Sequence, residues 1–557
     1  MKPNALIRRL VPILHEDERV LIVDKPAGID SGGLPKQPIA GLVEVLAQVR
    51  GPAVKLHPIN RLSRYESGVL LLAKDAASAQ EFRARMRGPG VSREYLAVVR
   101  GEVKKPRLIV GAGHGASRGK GKRAGAPATR GAAPTVAGAA TTVQLLRQGE
   151  RRALVRCRTS AENTHMLRAQ LRSVGLRLVG DHLHDQSRQP AKQELTCLHL
   201  ARLVIENWLP KTKLTTSTQP PDAFERVLQN DRPIERALHA ALARRLPVLI
   251  DTGTDAYRLL SGEVEDLPGL SAERYGDVVI LQVLGPIADE TAVLRRAARW
   301  YVDALGAGSV YVKHFVKDRP AAEGDMSEAL RSPKPLLGRE APERIEIRER
   351  GLRFAIRPHD GLSVGLFLDH RDNRSRVRSL AAGKDVLNLF AYTCGFSVAA
   401  AAGGAKSTVS VDVSPKHLDW GRANFTLNGL DLDVQTFVKS DAADYLRRAE
   451  RQGKSFDVIV LDPPTFAHGR KRGQTFSVER DLADLFQAAA SLLNPGGLMM
   501  VSTNFRKLSW RSLREQVKRG AGKRKHRVIE SSPLPVDFAA DPDHAKTMFV
   551  RFDGETL

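Results

Sequence analysis

The chemistry most readily legible in this chain rests on three acidic side chains, each placed just after a short apolar run. Asp412 ends the run Thr408-Val-Ser-Val-Asp412, Asp441 sits in Ser440-Asp-Ala442, and Asp462 opens Asp462-Pro-Pro-Thr-Phe466 behind Phe456-Asp-Val-Ile-Val-Leu461. A fourth piece comes first, the run Val386-Leu-Asn-Leu-Phe-Ala-Tyr-Thr-Cys-Gly-Phe-Ser397. Its glycine lets the backbone approach a ligand closely at the C-terminal edge of a strand. Asn388, Phe390, Tyr392 and Gly395 are therefore candidates for contacting a cofactor. An acidic residue about 20 residues beyond such a turn is placed to accept hydrogen bonds from ribose hydroxyls, which is the role expected of Asp412. Asp441 is placed to reach an adenine edge. The prolines Pro463 and Pro464 fix a rigid extended turn that aims Asp462 at a base, and Phe466 offers a stacking face. The run lacks GxGxxG, which disfavours a dinucleotide pyrophosphate site. Each piece has an ordinary reading, Asp412 as a helix cap and Asp-Pro-Pro as a loop, but the four occur in order, each at a strand's end.

The elements that position these residues alternate between strand-like and helix-like patterns from about residue 346 onward, the signature of a doubly wound α/β sheet. Strands are expected over 385–389, 408–412, 456–461 and 498–502. Ahead of this domain (346–557), residues 236–345 read as a small central α+β domain, with strands at Val278–Val283 and Ser309–Lys313 and a helix over Thr291–Leu305. The Thr/Pro-rich stretch 213–235 reads as a linker. Residues 1–212 hold short strand runs such as Val20–Val23, Val69–Leu72 and Tyr95–Val99, and make an N-terminal α+β domain. Within it, 104–142 is rich in Gly, Ala, Pro and basic residues and is expected to be a disordered insertion.

Lys and Arg number 87 against 62 Asp and Glu, a formal charge of +25. Such an excess favours polyanions as partners, nucleic acid first. Basic clusters at Gly469–Arg472 and Lys518–Arg527 add to it. The cysteines Cys157, Cys197 and Cys394 show no metal-ligand or disulfide spacing, which suits a reducing compartment, and no metal site is expected. No apolar run reaches the roughly 18 residues of a membrane span, so the expectation is a cytoplasmic protein without a membrane partner.

At Gly365-Leu-Phe-Leu-Asp-His-Arg371, the turn just described, Gly403-Gly-Ala405, Asp412 with Trp420 and Asn424, Leu427-Asn-Gly429 and Asp462-Pro-Pro-Thr-Phe466, the chain resembles the bacterial 23S rRNA guanine-N7 methyltransferases. It is similar, less closely, to their rRNA cytosine-C5 relatives. The resemblance covers roughly 240–557 and implies a class I, Rossmann-like domain that uses S-adenosyl-L-methionine on large-subunit ribosomal RNA, naked or in a precursor particle. It implies Arg371 or Arg374 near the methionine carboxylate of the donor, and Asp462, Phe466 and Asn504 around the base. Cytosine-C5 chemistry needs a thiolate. The cytosine family carries that cysteine just after the fifth strand, where this chain has Val501-Ser-Thr-Asn-Phe505.

Residues 1–212 resemble the RluA-type pseudouridine synthases at Val23-Asp-Lys-Pro-Ala-Gly28, Asn60-Arg-Leu-Ser-Arg-Tyr-Glu-Ser-Gly68, Arg93-Glu-Tyr95, Thr164-His-Met-Leu-Arg168 and Val179-Gly-Asp181. That family's motif reads His-Arg-Leu-Asp with the Asp as nucleophile, whereas here the two positions are Asn60 and Ser63. A serine without a base does not replace an ionised carboxylate. The expectation is a degenerate, RNA-binding module. The competing readings are a bifunctional isomerase and methyltransferase, with Glu66 standing in as the carboxylate, a cytosine-C5 enzyme, and a non-catalytic ribosome-assembly factor.

Overall fold

The computed structural model describes residues 3–33, 40–111, 140–181, 196–229, 231, 233–315, 332–468 and 475–553. They form two compact units, 1–250 with 262–268, and 251–261 with 269–557.

The first unit is built on a mostly antiparallel sheet. Its described strands run in the order Ile13–Glu16, Val20–Lys25, Ser67–Ala73, Leu198–Glu206, Val91–Arg100, Arg152–Thr159, Thr141–Gln148 and Arg107–Val110. Ser67–Ala73 is buried along its whole length, which suits its central place and its unbroken apolar run. It pairs parallel with Leu198–Glu206, and Gly68 sits at that crossing with φ +117. A Cβ there would stand 2.3 Å from the Leu200 carbonyl oxygen, so only glycine fits.

Two expectations for this unit need correcting. The ends of the 104–142 insertion are ordered, because Arg107–Val110 pairs antiparallel with Thr141–Gln148; its centre, 112–139, lies outside the described residues. The 213–235 stretch is not a linker. Lys213–Ser217 adds an edge strand to Leu198–Glu206, and the helix Ala223–Leu228 buries Phe224, Val227 and Leu228 against Val98, Leu154, Val179 and Cys197. The threonines that look loop-like in isolation are β-branched and suit a half-exposed edge. The unit then continues to Ile250 through the helix Ile234–Arg244, and takes in 262–268, where Glu265 pairs with the buried Arg244 and Arg245.

The second unit carries the doubly wound sheet. Its strands are β1 (Asp385–Leu389), β2 (Ser407–Asp412), β3 (Gln435–Lys439), β4 (Phe456–Leu461), β5 (Leu493–Thr503), β6 (His526–Ser532) and β7 (Lys546–Phe552), in the order β3-β2-β1-β4-β5-β7-β6. All neighbours are parallel from β3 to β5, and β7 is antiparallel to both β5 and β6. The covering helices include α1 (Arg371–Leu380), α2 (Gly395–Ala402), α3 (Pro415–Leu427), α4 (Ala442–Arg451), α5 (Val478–Ala490) and α6 (Trp510–Ala521). Strand order reverses at β1 and β4, the point where such sheets open a crevice at their C-terminal ends.

The expected boundary near 345 is not a structural break. A small mixed sheet (Ala256–Ser261, Leu270–Tyr275, Val278–Val283, Ser309–His314 and Leu337–Gly338) and the hairpin Ile345–Glu349/Leu352–Ile356 share one apolar core with the Rossmann-like layer. That core joins Tyr275, Ile280 and Phe354 to Val398, Leu418 and Phe425. Asn424 and Trp420 of α3 clamp the Ala355 backbone, at 2.9 Å each. The pattern of alternating elements changes near 345, but the burial it encodes is continuous.

Arg371, expected beside the donor, is instead sealed inside this unit. Its side chain is 2% exposed and pairs with Asp537, 0% exposed, which also accepts the Arg258 backbone N–H at 2.9 Å. Removing one partner of a buried pair strands the other charge. Asp537→Ala should therefore cost this unit about 3–5 kcal/mol. The check is a lower midpoint for this unit in chemical denaturation.

Candidate functional site

The turn after β1 has an unusual backbone. Phe390, Tyr392 and Cys394 take positive φ values of 57, 48 and 61 degrees. Each non-glycine residue in this region costs about 1–2 kcal/mol, so the turn persists only where surrounding bonds over-determine it. Asp412, at the end of β2, accepts the Tyr392 N–H at 2.9 Å and the Ser414 N–H at 2.8 Å. The Ala391 N–H reaches the Val411 carbonyl at 3.0 Å, and Asn424 donates to the Thr393 carbonyl at 3.0 Å. Cys394 is fully buried, and Gly421 in α3 leaves it room; a Cβ at 421 would stand 2.3 Å from its sulfur.

The turn borders a cavity of about 750 Å³ at the C-terminal ends of β1, β2 and β4, within the size range of cofactor pockets. Phe390, Tyr392, Gly395, Asp412, Asp441, Asp462, Pro463, Pro464 and Asn504, all singled out in the sequence, line it. Gly395 and Phe396 bring the N-terminus of α2 to its wall, a site suited to an anionic group. Burial opposes the charge on Asp412, yet hydrogen bonds from His417, Ser414 and Tyr392 hold its carboxyl below the usual range. It stays an ionised acceptor with lone pairs left for a diol. Asp441 caps α4, one oxygen accepting the Ala443 and Asp444 N–H groups at 2.9 and 3.2 Å. Exposed Val413, 64% accessible, adds an apolar wall beside Asp412. Thr465 donates to the Asn504 side-chain oxygen at 2.9 Å and joins the Asp-Pro-Pro turn to the end of β5.

Other expected residues stand elsewhere. Asn388 is buried behind the turn and donates to Ser397 at 2.9 Å, so it braces β1 against α2 without lining the cavity. Arg371 faces Asp537, as described. Arg374 does line the cavity, but both of its Glu349 contacts are 2.7 Å and its guanidinium is committed to them. Phe466 begins the short strand Phe466–His468, and the basic cluster 469–472 lies outside the described residues. The sequence reading gave no role to His370, which lines the cavity with Nε2 3.0 Å from the Asp462 carboxylate. It was visible only as a letter in the Gly365–Arg371 block.

A second cavity, about 860 Å³, lies in the first unit and is lined by Asn60, Ser63, Glu66, Arg93, Tyr95 and Thr164 among others. The Ser63 hydroxyl is buried there without a hydrogen-bond partner among the described residues. Glu66 is not a spare carboxylate, because it accepts the Ser63 N–H at 2.9 Å and pairs with buried Arg168 at 2.6 Å. Asn60 is a brace, donating to the Val69 carbonyl at 3.0 Å and accepting the Leu71 N–H at 2.8 Å.

The second unit is thus a doubly wound α/β domain with an acidic, nucleoside-sized pocket at its strand ends. Residues 262–549 match the S-adenosylmethionine-dependent methyltransferase family, and the chain belongs to that family. Residues 19–173 match the RNA pseudouridylate synthase family. Among curated proteins, the large-subunit ribosomal RNA methyltransferase I of Klebsiella pneumoniae is 35% identical over 268 residues, 48% of this chain and 64% of that protein. The large-subunit ribosomal RNA methyltransferase K/L of a Psychrobacter species is 46% identical over 182 residues, 32% of this chain and 22% of that protein. The chain thus spans less than two thirds of these relatives. A solved protein assigned as a methyltransferase, in complex with SAH, is 28% identical with a TM-score of 0.52, covering 63% of this chain and 87% of that one.

The residues present fit S-adenosyl-L-methionine. Carboxylates suit its cationic sulfonium and ribose diol, and the α2 N-terminus suits its carboxylate. Two substitutions check this assignment. Asp412→Ala removes a carboxylate placed to accept from a diol and one tether of the strained turn, and should weaken cofactor binding by about 10- to 100-fold in calorimetry. Gly421→Ala drives a methyl into Cys394 and should cost about 1–3 kcal/mol in stability, with weaker cofactor binding besides.

Proposed function

We propose that this chain methylates large-subunit ribosomal RNA at a ring nitrogen, guanine N7, with the first unit serving as a non-isomerising RNA-binding module. The RNA substrate is supported by the names of both curated relatives and by the formal charge of +25. The observation that carries the choice of atom is the cavity's lining, which includes no cysteine among the described residues. Cys394, the nearest in sequence, is fully buried, and burial pushes its thiol up to about 12, so it stays protonated. Without a thiolate the covalent activation that cytosine C5 needs has no agent.

Guanine N7 has a free lone pair at neutral pH and needs no general base. S-adenosyl-L-methionine supplies the methyl group when bound. The protein's part is then proximity and orientation. Asp412 and Asp441 hold the nucleoside half of the cofactor, while Asp462, Pro463, Pro464 and Asn504 form the wall against which the target base rests. The reaction moves a positive charge from sulfur to the base, and the carboxylates of Asp412, Asp441 and Asp462 keep the potential of the cavity favourable throughout.

For the first unit, loss of isomerisation is supported by Ser63 at the nucleophile's position and by the commitment of Glu66 to Arg168. Its cavity and buried Arg93 and Tyr95 persist. The chain is thus read as cytoplasmic, with ribosomal RNA or a precursor particle as its partner. Among the described residues no helix is long and apolar enough to cross a membrane.

The test is incubation of the purified chain and labelled cofactor with ribosomal RNA from a strain lacking the gene, followed by nucleoside mass spectrometry. Labelled 7-methylguanosine and no new pseudouridine are expected. Labelled 5-methylcytidine would overturn the choice of atom. Cofactor binding without transfer to any RNA would favour an assembly factor.

A further inference from the structure

Behind the Asp-Pro-Pro turn lies a buried histidine that the mechanism above leaves unused. We propose that His370 is a positioning residue of the methyl-transfer site, whose imidazolium locks the Asp462 carboxylate in the orientation it presents to the cavity. This rests on the methyltransferase reading of the same cavity.

The geometry has three parts. His370 is 7% exposed at its side chain and Asp462 26%; both line the cavity, the carboxylate being the more open of the two. Nε2 lies 3.0 Å from Asp462 Oδ2. The ring is packed edge-on to Phe396, centroids 5.3 Å apart, which opposes rotation about χ2. With Oδ2 engaged, the other oxygen of Asp462 remains for the cavity's contents.

The opposite ring nitrogen decides which charge state can be held. Nδ1 lies 3.0 Å from the Asn373 amide nitrogen, and that amide nitrogen is 3.1 Å from the Thr547 hydroxyl. The Asn373 amide oxygen is buried without a hydrogen-bond partner among the described residues. A neutral ring accepts from the amide nitrogen as drawn, whereas an imidazolium needs the amide turned, so that its oxygen accepts Nδ1–H and the Thr547 hydroxyl. Asn373 can therefore serve both protonation states, and the histidine can carry a proton without a donor-donor clash.

The charges around the ring favour the proton. Burial opposes it, but the carboxylates of Asp462 and Asp369 outweigh burial and the nearby Arg374, and the imidazole is raised above its usual value. Asp369 is itself braced by His544 at 3.5 Å and by the charge of Arg258. For a histidine raised in this way, the charged form is complete below the ordinary imidazole value and is lost as pH rises through the raised one. The lock thus fails on the alkaline side.

Two measurements on the full chain test it. In single-turnover methyl transfer to ribosomal RNA, the wild-type rate should fall at alkaline pH. His370→Gln keeps a neutral N–H donor and removes the titration. It should bind cofactor within about twofold of wild type, which certifies folding, yet transfer methyl about 10- to 100-fold more slowly, with the alkaline fall gone. An unchanged rate and pH profile in this variant would overturn the proposal. Separately, NMR of the chain carrying ¹³C-labelled histidine should show His370 titrating above the ordinary value and dropping in Asp462→Asn. A His370 signal at or below the ordinary value, indifferent to that substitution, overturns the proposal whether or not RNA is the substrate. If the wild-type chain methylates no RNA, the proposed function fails, and the histidine titration still decides the pair.

Discussion

The cofactor wall of the second unit depends on a strained turn held in place from its neighbours, first by Asp412, which accepts the Tyr392 N–H. The turn after β1 places Phe390, Tyr392 and Cys394 in a backbone region that side chains ordinarily avoid. Left to itself it would relax, and the wall of the cofactor cavity would move with it. Asp412 holds it from the neighbouring strand, and Asn424 holds it from α3. The same Asn424 clamps the hairpin of the small sheet through Ala355. Turn, crossover helix and auxiliary sheet are thus one mechanical unit, which is why the expected boundary near residue 345 does not divide the structure.

Charge in this protein is arranged on two scales. Over the whole chain it is strongly positive, the condition for drawing in a polyanion. The cofactor cavity is locally acidic, with Asp360, Asp369, Asp412, Asp441 and Asp462 in its wall. Its Arg374 is neutralised by Glu349, so the cavity keeps an acidic character that suits a cationic cofactor. A net positive chain with an acidic pocket combines the long-range field that suits a polyanion with a local one that suits a sulfonium. The first unit shows the reverse economy. Its cavity has Arg93 and Tyr95 buried around it, Glu66 is committed to Arg168, and the Ser63 hydroxyl has no hydrogen-bond partner among the described residues. A fold depends on its core and a chemistry on single side chains, so the two can change independently.

Much of this was legible from the amino acids alone. The doubly wound layer was readable because parallel strands buried on both faces are written as continuous apolar runs, and β1 and β4 begin and end where those runs do. Asp412, Asp441 and Asp462 were readable because a strand's end fixes where the next residue must lie. Ser63 at its position and the absence of a cysteine after β5 are facts of the sequence.

Tertiary structure alone decided the rest, since it depends on contacts between residues far apart in the chain. Both Arg371 and Arg374 were candidates to neighbour the cofactor, Arg371 the first of them. They lie three residues apart on α1, yet Asp537 from the C-terminal segment claims one and Glu349 from the hairpin the other. The threonine-rich stretch 213–217 became a strand because an open edge of Leu198–Glu206 was there to receive it. His370 acquired a partner only when β4 delivered Asp462 to within 3.0 Å of it. Local patterns determine which elements form and which face they bury. Which charged groups meet, and so which are structural and which face a ligand, is decided by the packing of distant segments against one another.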